Sequence, residues 1–371
     1  MVIMMGFDIN KLIREEVRDL PVYSPGKSPE EVARELGLRD CVKMASNENP
    51  LGPSPRAMEA VREALPAASI YPDGNSTELR EALSRKLGVP VECLLVAHGV
   101  DEVFDLMAYA FLKKGDEVIL GDPTFTSYEL AARTMGAAVR RVPLREHRQD
   151  IPAMLRAVGE RTVMIVLCSP LNPTGTTVSR PELEQMLESL PENIILVLDE
   201  AYVEYVDDPG HPDALAYFGR YPGLAITRTF SKAYGLAGLR VGYVICSPEI
   251  RWALEKVKLP FNVNRLGQVA ALAALEDGEH VARSREMNER GKKRLYRVLE
   301  ETGFDYVPTQ ANFILVNTGN CADLFDRLLR HGVIVRAGEA LGVPGHVRIT
   351  VGDRDQNDRL ERALRLIAGE D

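Results

Sequence analysis

The sequence is sparing with the residues that mark a disulfide scaffold, a metal centre or a membrane protein. Its five cysteines, Cys41, Cys93, Cys168, Cys246 and Cys321, are odd in number and far apart, with no CxxC pair. That pattern argues against a disulfide framework and against a cysteine zinc site. Positive charge is also short: 45 Lys and Arg face 54 Asp and Glu, a net charge of −9. A nucleic-acid binder carries a basic footprint. The densest basic stretch here, Arg290 to Arg297, is flanked by Glu286, Glu289 and Glu300, like the solvated face of a long helix. No apolar run approaches the roughly 18–20 residues of a membrane span. The apolar N-terminus MVIMMGFDIN is interrupted by Asp8 and has no small-residue cleavage site. A cytoplasmic protein with no nucleic-acid or membrane partner is the expectation.

What is present is an ordinary globular composition, 45% hydrophobic and 27% charged over 371 residues. That length suggests about two domains. Residues 1–40 read as an arm, in which Ser28 and Glu31 have the spacing of a capping box. MASNENPLGPSP, Met44 to Pro55, reads as loop. From residue 56 onward helical and strand patterns alternate. Strands are expected at Leu94–Ala97, Glu117–Leu120, Ala138–Val142, Val163–Cys168, Ile194–Leu198, Leu224–Thr229 and Val241–Cys246, with helices between most of them. The wholly apolar runs suit parallel strands buried on both faces. This predicts an α/β domain, a mostly parallel sheet flanked by helices. A long helical stretch from Asn264 to Glu301, broken near Gly278, precedes a smaller α+β unit containing FILV, VIVR and VRITV. The expected division is an arm over 1–40 that contributes to the small domain, a large domain over 41–265 and a small domain over 266–371.

Open α/β sheets bind ligands at the carboxyl ends of their strands. Polar residues that follow apolar runs therefore matter most, and four segments qualify. In VLVAHGVDE a strand runs into a helix start, whose free N–H groups and dipole attract a phosphate. In MIVLCSPLNPTG, Asn172 is held between two prolines, where its amide can make a directional hydrogen bond. In IILVLDEAY, Asp199 ends an apolar strand, a costly place for a carboxylate unless a cation meets it, and Tyr202 follows three residues later. In TRTFSKAYGLAGLRVGY, Lys232 sits among Thr229, Ser231 and Arg240. The glycines there are not spaced as GxGxxG, which argues against a dinucleotide site. Each segment alone also suits a structural role. Together they supply a phosphate seat, a carboxylate, hydrogen bonders and an amine. Pyridoxal phosphate needs that set: a lysine to hold it, an acid for its ring nitrogen, and a base to move a proton at the substrate's α-carbon.

Ten motifs occur in order along nearly the whole chain: YSPGKSPEE, SNENPLGPSP, YPDG, HGVDE, SPLNPTG, DEAY, TFSKAYGLAGLRVGY, ANFILV, VIVRAG and VRITVG. In these the sequence resembles the fold type I pyridoxal-phosphate aminotransferases, and among them the histidinol-phosphate aminotransferase family. The lysine motif is the most specific; SPLNPTG and DEAY are shared more widely. The resemblance implies a large domain on a mostly parallel seven-stranded sheet plus a smaller domain. It implies that Lys232 is the Schiff-base lysine, that Asp199 pairs with the ring nitrogen, and that Asn172 and Tyr202 bond the ring's 3′ oxygen. Phe125 would stack on the ring, where many relatives carry tyrosine. Val100, Asp101, Ser231, Arg240 and Thr229 would seat the phosphate. Tyr71 would reach the cofactor of a second subunit, which implies a homodimer. Tyr23, Asn47, Asn312, Arg336 and Arg348 would bind substrate. Forked guanidiniums suit a carboxylate or a phosphate, so one basic pocket can serve both glutamate and histidinol phosphate. The competing readings are an aromatic amino acid aminotransferase, a pyridoxal-phosphate threonine-phosphate decarboxylase and a non-catalytic sensor. The last normally appends a DNA-binding domain, for which about 40 residues before the first motif are too few.

Overall fold

The protein is described by a computed structural model covering residues 8–22, 28–319 and 323–370. Its centre is a seven-stranded sheet. Across the sheet the strands run Leu94–Ala97, Gly242–Ile245, Leu224–Thr229, Ile195–Asp199, Thr162–Cys168, Glu117–Asp122 and Ala138–Pro143. Every neighbouring pair is parallel except the two made by Gly242–Ile245, which is antiparallel to both Leu94–Ala97 and Leu224–Thr229. This corrects the sequence reading, which continued the parallel series through that strand. The physical reason is the connection. The twelve residues between Thr229 and Gly242 hold only turns, with a 3-10 turn at Ala237–Leu239 and no helix to carry the chain back along the sheet. A parallel return needs a crossover of a dozen or more residues, usually helical.

Alternate residues of each central strand feed two different cores, as the two-residue strand period requires. Ile165, Leu167, Leu196, Leu198 and Ile226 pack on one face. Met164, Val166, Cys168, Val197 and Ala225 pack on the other. Helices cover both faces, and the strands Thr162–Cys168 and Ile195–Asp199 are accordingly apolar along their middle. Asp199 is the next residue of the 195–197 series and so shares the face of Val197. The cross-strand partners of Asp199 are Cys168 on one side and Thr227 on the other.

A second sheet is antiparallel, in the order Arg336–Ala337, His346–Thr350, Phe313–Asn317, Tyr306–Val307. Its core joins Ile314, Val316, Val347 and Ile349 to Leu295 and Leu299 of the helix Gly278–Thr302 and to Leu360 and Leu364 of the closing helix Arg354–Glu370. Met44 packs into this same core, and Val42–Lys43 pairs in parallel with Val333–Ile334. The helix Arg265–Glu276 packs instead on the large core through Ala270, Ala271 and Ala274. The run VIVR, expected as one strand, is divided: Val333–Ile334 pairs with residues 42–43, while Arg336–Ala337 joins the second sheet. In the arm, the Ser28 side chain accepts from the Glu31 N–H and starts the helix Pro29–Leu36. Among the described residues no helix is long and apolar enough to cross a membrane.

Candidate active site

Six of the seven strands point the same way, and their carboxyl ends meet one cavity of about 620 Å³. That lies within the usual range of about 300–1,000 Å³ for small-molecule sites. The antiparallel strand contributes through its beginning. Gly242 is paired with Thr229 and Ala97, so Arg240, two residues earlier, arrives at the same edge. Gly242 is required by contact with backbone, and Gly99 by its left-handed conformation. A Cβ on Gly242 would lie 2.7 Å from the Val100 nitrogen, and one on Gly99 (φ 77°) 2.7 Å from Nη2 of Arg240. Bare backbone lets the strand, the helix start and the arginine converge.

The floor of the cavity is Asp199, 4% exposed. Its Oδ1 accepts from the Thr227 hydroxyl at 2.9 Å, and its Oδ2 accepts from the Tyr128 hydroxyl. Hydrogen bonds to a charged group return roughly 1.5–3 kcal/mol each. Full burial of an ion costs several kcal/mol or more. Burial wins, and the carboxyl is pushed up to about 6 despite these two hydroxyls and the Ala201 N–H. A cation facing Asp199 reverses that balance.

At one side of the floor stands an anion seat. The helix Gly99–Phe111 begins there, with Val100 and Asp101 in its first turn. Its free N–H groups and dipole favour negative charge. Arg240, itself left-handed (φ 56°), pairs through Nη2 with Oδ2 of Asp101 at 3.0 Å. The Ser127 hydroxyl donates to the other Asp101 oxygen at 2.9 Å. The Thr229 hydroxyl accepts from the Ser231 N–H at 3.0 Å, and all of these groups but Ser127 line the cavity.

Above the floor is Lys232, half-buried, with Nζ donating to the Ser46 carbonyl at 3.2 Å and lying 5.7 Å from the Tyr202 ring centre. Burial, then the positive Arg348 nearby, lowers its amine to about 8. A substantial neutral fraction near neutral pH makes this amine a nucleophile and a base. Tyr202 accepts from the Asn47 amide at 2.9 Å, which leaves its own O–H to donate. Burial holds that phenol up at about 12, so it stays protonated. Asn172 accepts at Oδ1 from Nη1 of Arg348 at 2.5 Å. Its remaining hydrogen-bonding group is a donor. The second Arg348 nitrogen bonds the Ala45 carbonyl at 2.7 Å.

Arg336 and Arg348 are cross-strand partners in the second sheet, and both line the cavity. Like charges directly opposite each other in a ladder are unfavourable. Two guanidiniums so placed suit an anionic ligand, which removes the repulsion. Phe125 also lines the cavity, with its ring edge-on to Tyr128 at 5.5 Å between centres.

Three expected residues are not among those that line this cavity. Tyr23 lies outside the described residues. Tyr71 is 76% exposed, stacked on Phe261 at 4.7 Å, away from this chain's own cavity. Asn312 is buried behind the wall, where its amide donates to the Asn47 carbonyl at 3.0 Å. Sequence reasoning missed Tyr128, Thr227, Ser46 and Lys43, all at or beside the cavity. Thr227 carried a signal: a hydroxyl in an apolar strand, two residues before Thr229 and so on its face. Tyr128 carried only its position one helical turn after Phe125.

The model of the family described as aminotransferase class I and II matches residues 39–364. The chain belongs to that family. It is an aminotransferase fold in both sequence and structure. It is 49% identical over 357 residues to histidinol-phosphate aminotransferase of Moorella thermoacetica, covering 95% of this chain and 92% of that protein. It is 44% identical to the enzyme of the same name from Symbiobacterium thermophilum, covering 96% and 99%. Among solved structures, histidinol-phosphate aminotransferase from Sinorhizobium meliloti in complex with pyridoxal-5′-phosphate superposes with a TM-score of 0.89 at 27% identity, covering 96% of this chain and 98% of that one. A Thermus thermophilus aspartate aminotransferase variant reaches 0.83 at 26% identity, covering 96% and 99%. The fold is therefore common to relatives named for different substrates.

Proposed function

We propose that this chain is a pyridoxal 5′-phosphate enzyme that moves an amino group from L-histidinol phosphate to 2-oxoglutarate, giving imidazole acetol phosphate and L-glutamate in histidine biosynthesis. The carrying observation is the convergence on one cavity of a depressed lysine amine, a buried carboxylate, an anion seat and two registered arginines. The near full-length likeness to enzymes named for histidinol phosphate supports the substrate.

The residues fit the cofactor by chemistry. Asp199 is a buried carboxylate that favours a cationic partner, and a protonated ring nitrogen is one. The helix start with Arg240, Ser231 and Thr229 suits the phosphate. Asn172 and Tyr202 each keep a donor for the ring oxygen. Phe125 supplies an aromatic face. When bound, the cofactor supplies an electron-withdrawing ring that acidifies the substrate's α-carbon.

The protein's own part is proton handling and orientation. Lys232 Nζ holds the cofactor and, once released, takes the α-proton and returns it at the far end of the transfer, as a general base and acid. An amine held near 8 serves both roles at neutral pH. Arg336 and Arg348 hold the substrate's phosphate in one half-reaction and a carboxylate in the other. Asn47 orients Tyr202, and Asn312 in turn orients Asn47. Tyr23 belongs to the same substrate group by the family resemblance.

A homodimer is part of this reading. Tyr71 is exposed and stacked on Phe261, with Ile70 and Leu259 beside them also exposed, a position suited to a second subunit's cofactor phosphate. A cytoplasmic location is likewise part of it.

The test is a screen of amino donors that follows the spectral change from pyridoxal to pyridoxamine phosphate. Histidinol phosphate should turn over faster than phenylalanine or tyrosine. Equal or faster turnover of the aromatic amino acids sinks the substrate assignment. Carbon dioxide release without keto-acid formation points to a decarboxylase instead.

A further inference from the structure

Tyr128 stands where two functional walls meet. Its side chain is 3% exposed, on the helix Thr126–Thr134. Its hydroxyl donates to Oδ2 of Asp199. Its ring lies edge-on to Phe125 at 5.5 Å and edge-on to Phe104 at 4.5 Å. The same residue therefore touches the carboxylate under the cavity and the aromatic side chain lining it. A second hydroxyl donor to Asp199, Thr227, comes from the neighbouring strand and bonds the opposite oxygen, and the Ala201 N–H also bonds the carboxylate. With one oxygen held from a helix and one from the sheet, the carboxylate plane is fixed.

We propose that Tyr128 is a positioning residue for the transamination: its O–H keeps Asp199 charged and aimed at the ring nitrogen, and its ring edge sets Phe125 for stacking. The proposal rests on the cofactor reading above. Phenylalanine keeps the packing and loses the donor. Leucine loses both.

The direction follows from the surroundings of Asp199. Its titratable neighbours are Tyr128, Cys168 at the end of the adjacent strand, Asp101 at the helix start, and Glu200 and Tyr202 in its own turn. Burial already favours the protonated acid, and Tyr128 opposes it. The Cys168 thiol is pushed up by burial and stays protonated, with Sγ 4.0 Å from Oδ2. Removing the Tyr128 donor therefore tips Asp199 towards its neutral form, which cannot hold a protonated ring nitrogen. A lost hydrogen bond to a charged group corresponds to about one pH unit or more.

The experiment compares the parent chain with Tyr128→Phe, Tyr128→Leu and Thr227→Val. Two readouts need no turnover: dissociation of pyridoxal phosphate, and the pH dependence of apoprotein melting. Asp199 has a folded pKa raised above its unfolded value, so its contribution is present at low pH and lost as pH rises from about 4 through about 6. In Tyr128→Phe that loss should extend about one unit higher, relative to the parent. The cofactor should dissociate about tenfold more readily, and the acid limb of kcat/KM should move up by a similar interval. Tyr128→Leu should add a further loss of cofactor affinity. Thr227→Val should shift the melting profile in the same direction by its own smaller amount. An unchanged apoprotein profile together with unchanged cofactor dissociation in Tyr128→Phe overturns the proposal. A shifted apoprotein profile in Tyr128→Phe, together with a parent that binds no cofactor, upholds the Tyr128–Asp199 bond and removes the positioning role with the cofactor reading itself.

Discussion

The floor and the rim of the cavity are built in different ways. The floor belongs to one sheet: Cys168, Asp199 and Thr227 stand side by side in register, Thr229 ends the strand of Thr227, and Ser231 and Lys232 follow that end. The rim joins parts distant in the chain. Arg348 of the second sheet bonds Asn172 and Ala45, and Asn47 bonds Thr350, Tyr202 and Asn312. The floor is thus as rigid as the core beneath it, whereas the rim depends on how two sheets are held against each other. Cofactor chemistry suits the first arrangement. A substrate site that must accept two different anions suits the second.

Substitutions that separate floor from rim sharpen this contrast. The largest effect is expected at Lys232→Ala, which should lose the visible absorbance of covalently held cofactor and lower kcat by roughly a thousandfold or more. Near-normal transamination by that variant breaks the account of the floor. Asp199→Asn comes next: cofactor should dissociate far more readily and kcat should fall by about 100-fold or more, with KM little changed. A rise in KM alone would move Asp199 from floor to rim. Arg348→Met should act on both, because it removes a substrate contact and frees the Asn172 oxygen. A loss of about 30- to 1,000-fold in kcat/KM is expected for both amino donor and acceptor. The smallest effect is a pH shift. Lys232 is held near 8, so its neutral fraction, and with it the rate of cofactor capture by apoprotein, should rise with pH and level off above about 8. Arg348→Met removes one of the groups that depress this amine, so the midpoint should move upward.

The same contrast explains what the sequence revealed. Asp199, Thr229, Ser231 and Lys232 of the floor were legible because each ends or follows an apolar run, and strand ends in an α/β sheet are where ligands bind; Thr227, inside its strand, was not. Seven strand positions and the alternation with helices were visible from periodicity. The reversed direction of Gly242–Ile245 was not, because a strand's apolar pattern reads the same in either direction. Arg240 was still found, through the company it keeps with Lys232. Asn47, Asn312, Arg336 and Arg348 of the rim were legible only by resemblance. Nothing local in VIVR and VRITV shows that Arg336 and Arg348 stand opposite each other, since that register depends on the break after Ile334. Tyr128 escaped notice because its partner is 71 residues away.

The central claim is that Nζ of Lys232 holds the cofactor over Asp199. Borohydride reduction of the holoprotein, followed by peptide mass spectrometry, tests it directly. The pyridoxyl group should be found on the peptide that carries Ser231-Lys232-Ala233 and on no other lysine, with Lys232→Ala unlabelled. A label on another lysine, or an unlabelled parent protein that still transaminates, would contradict it.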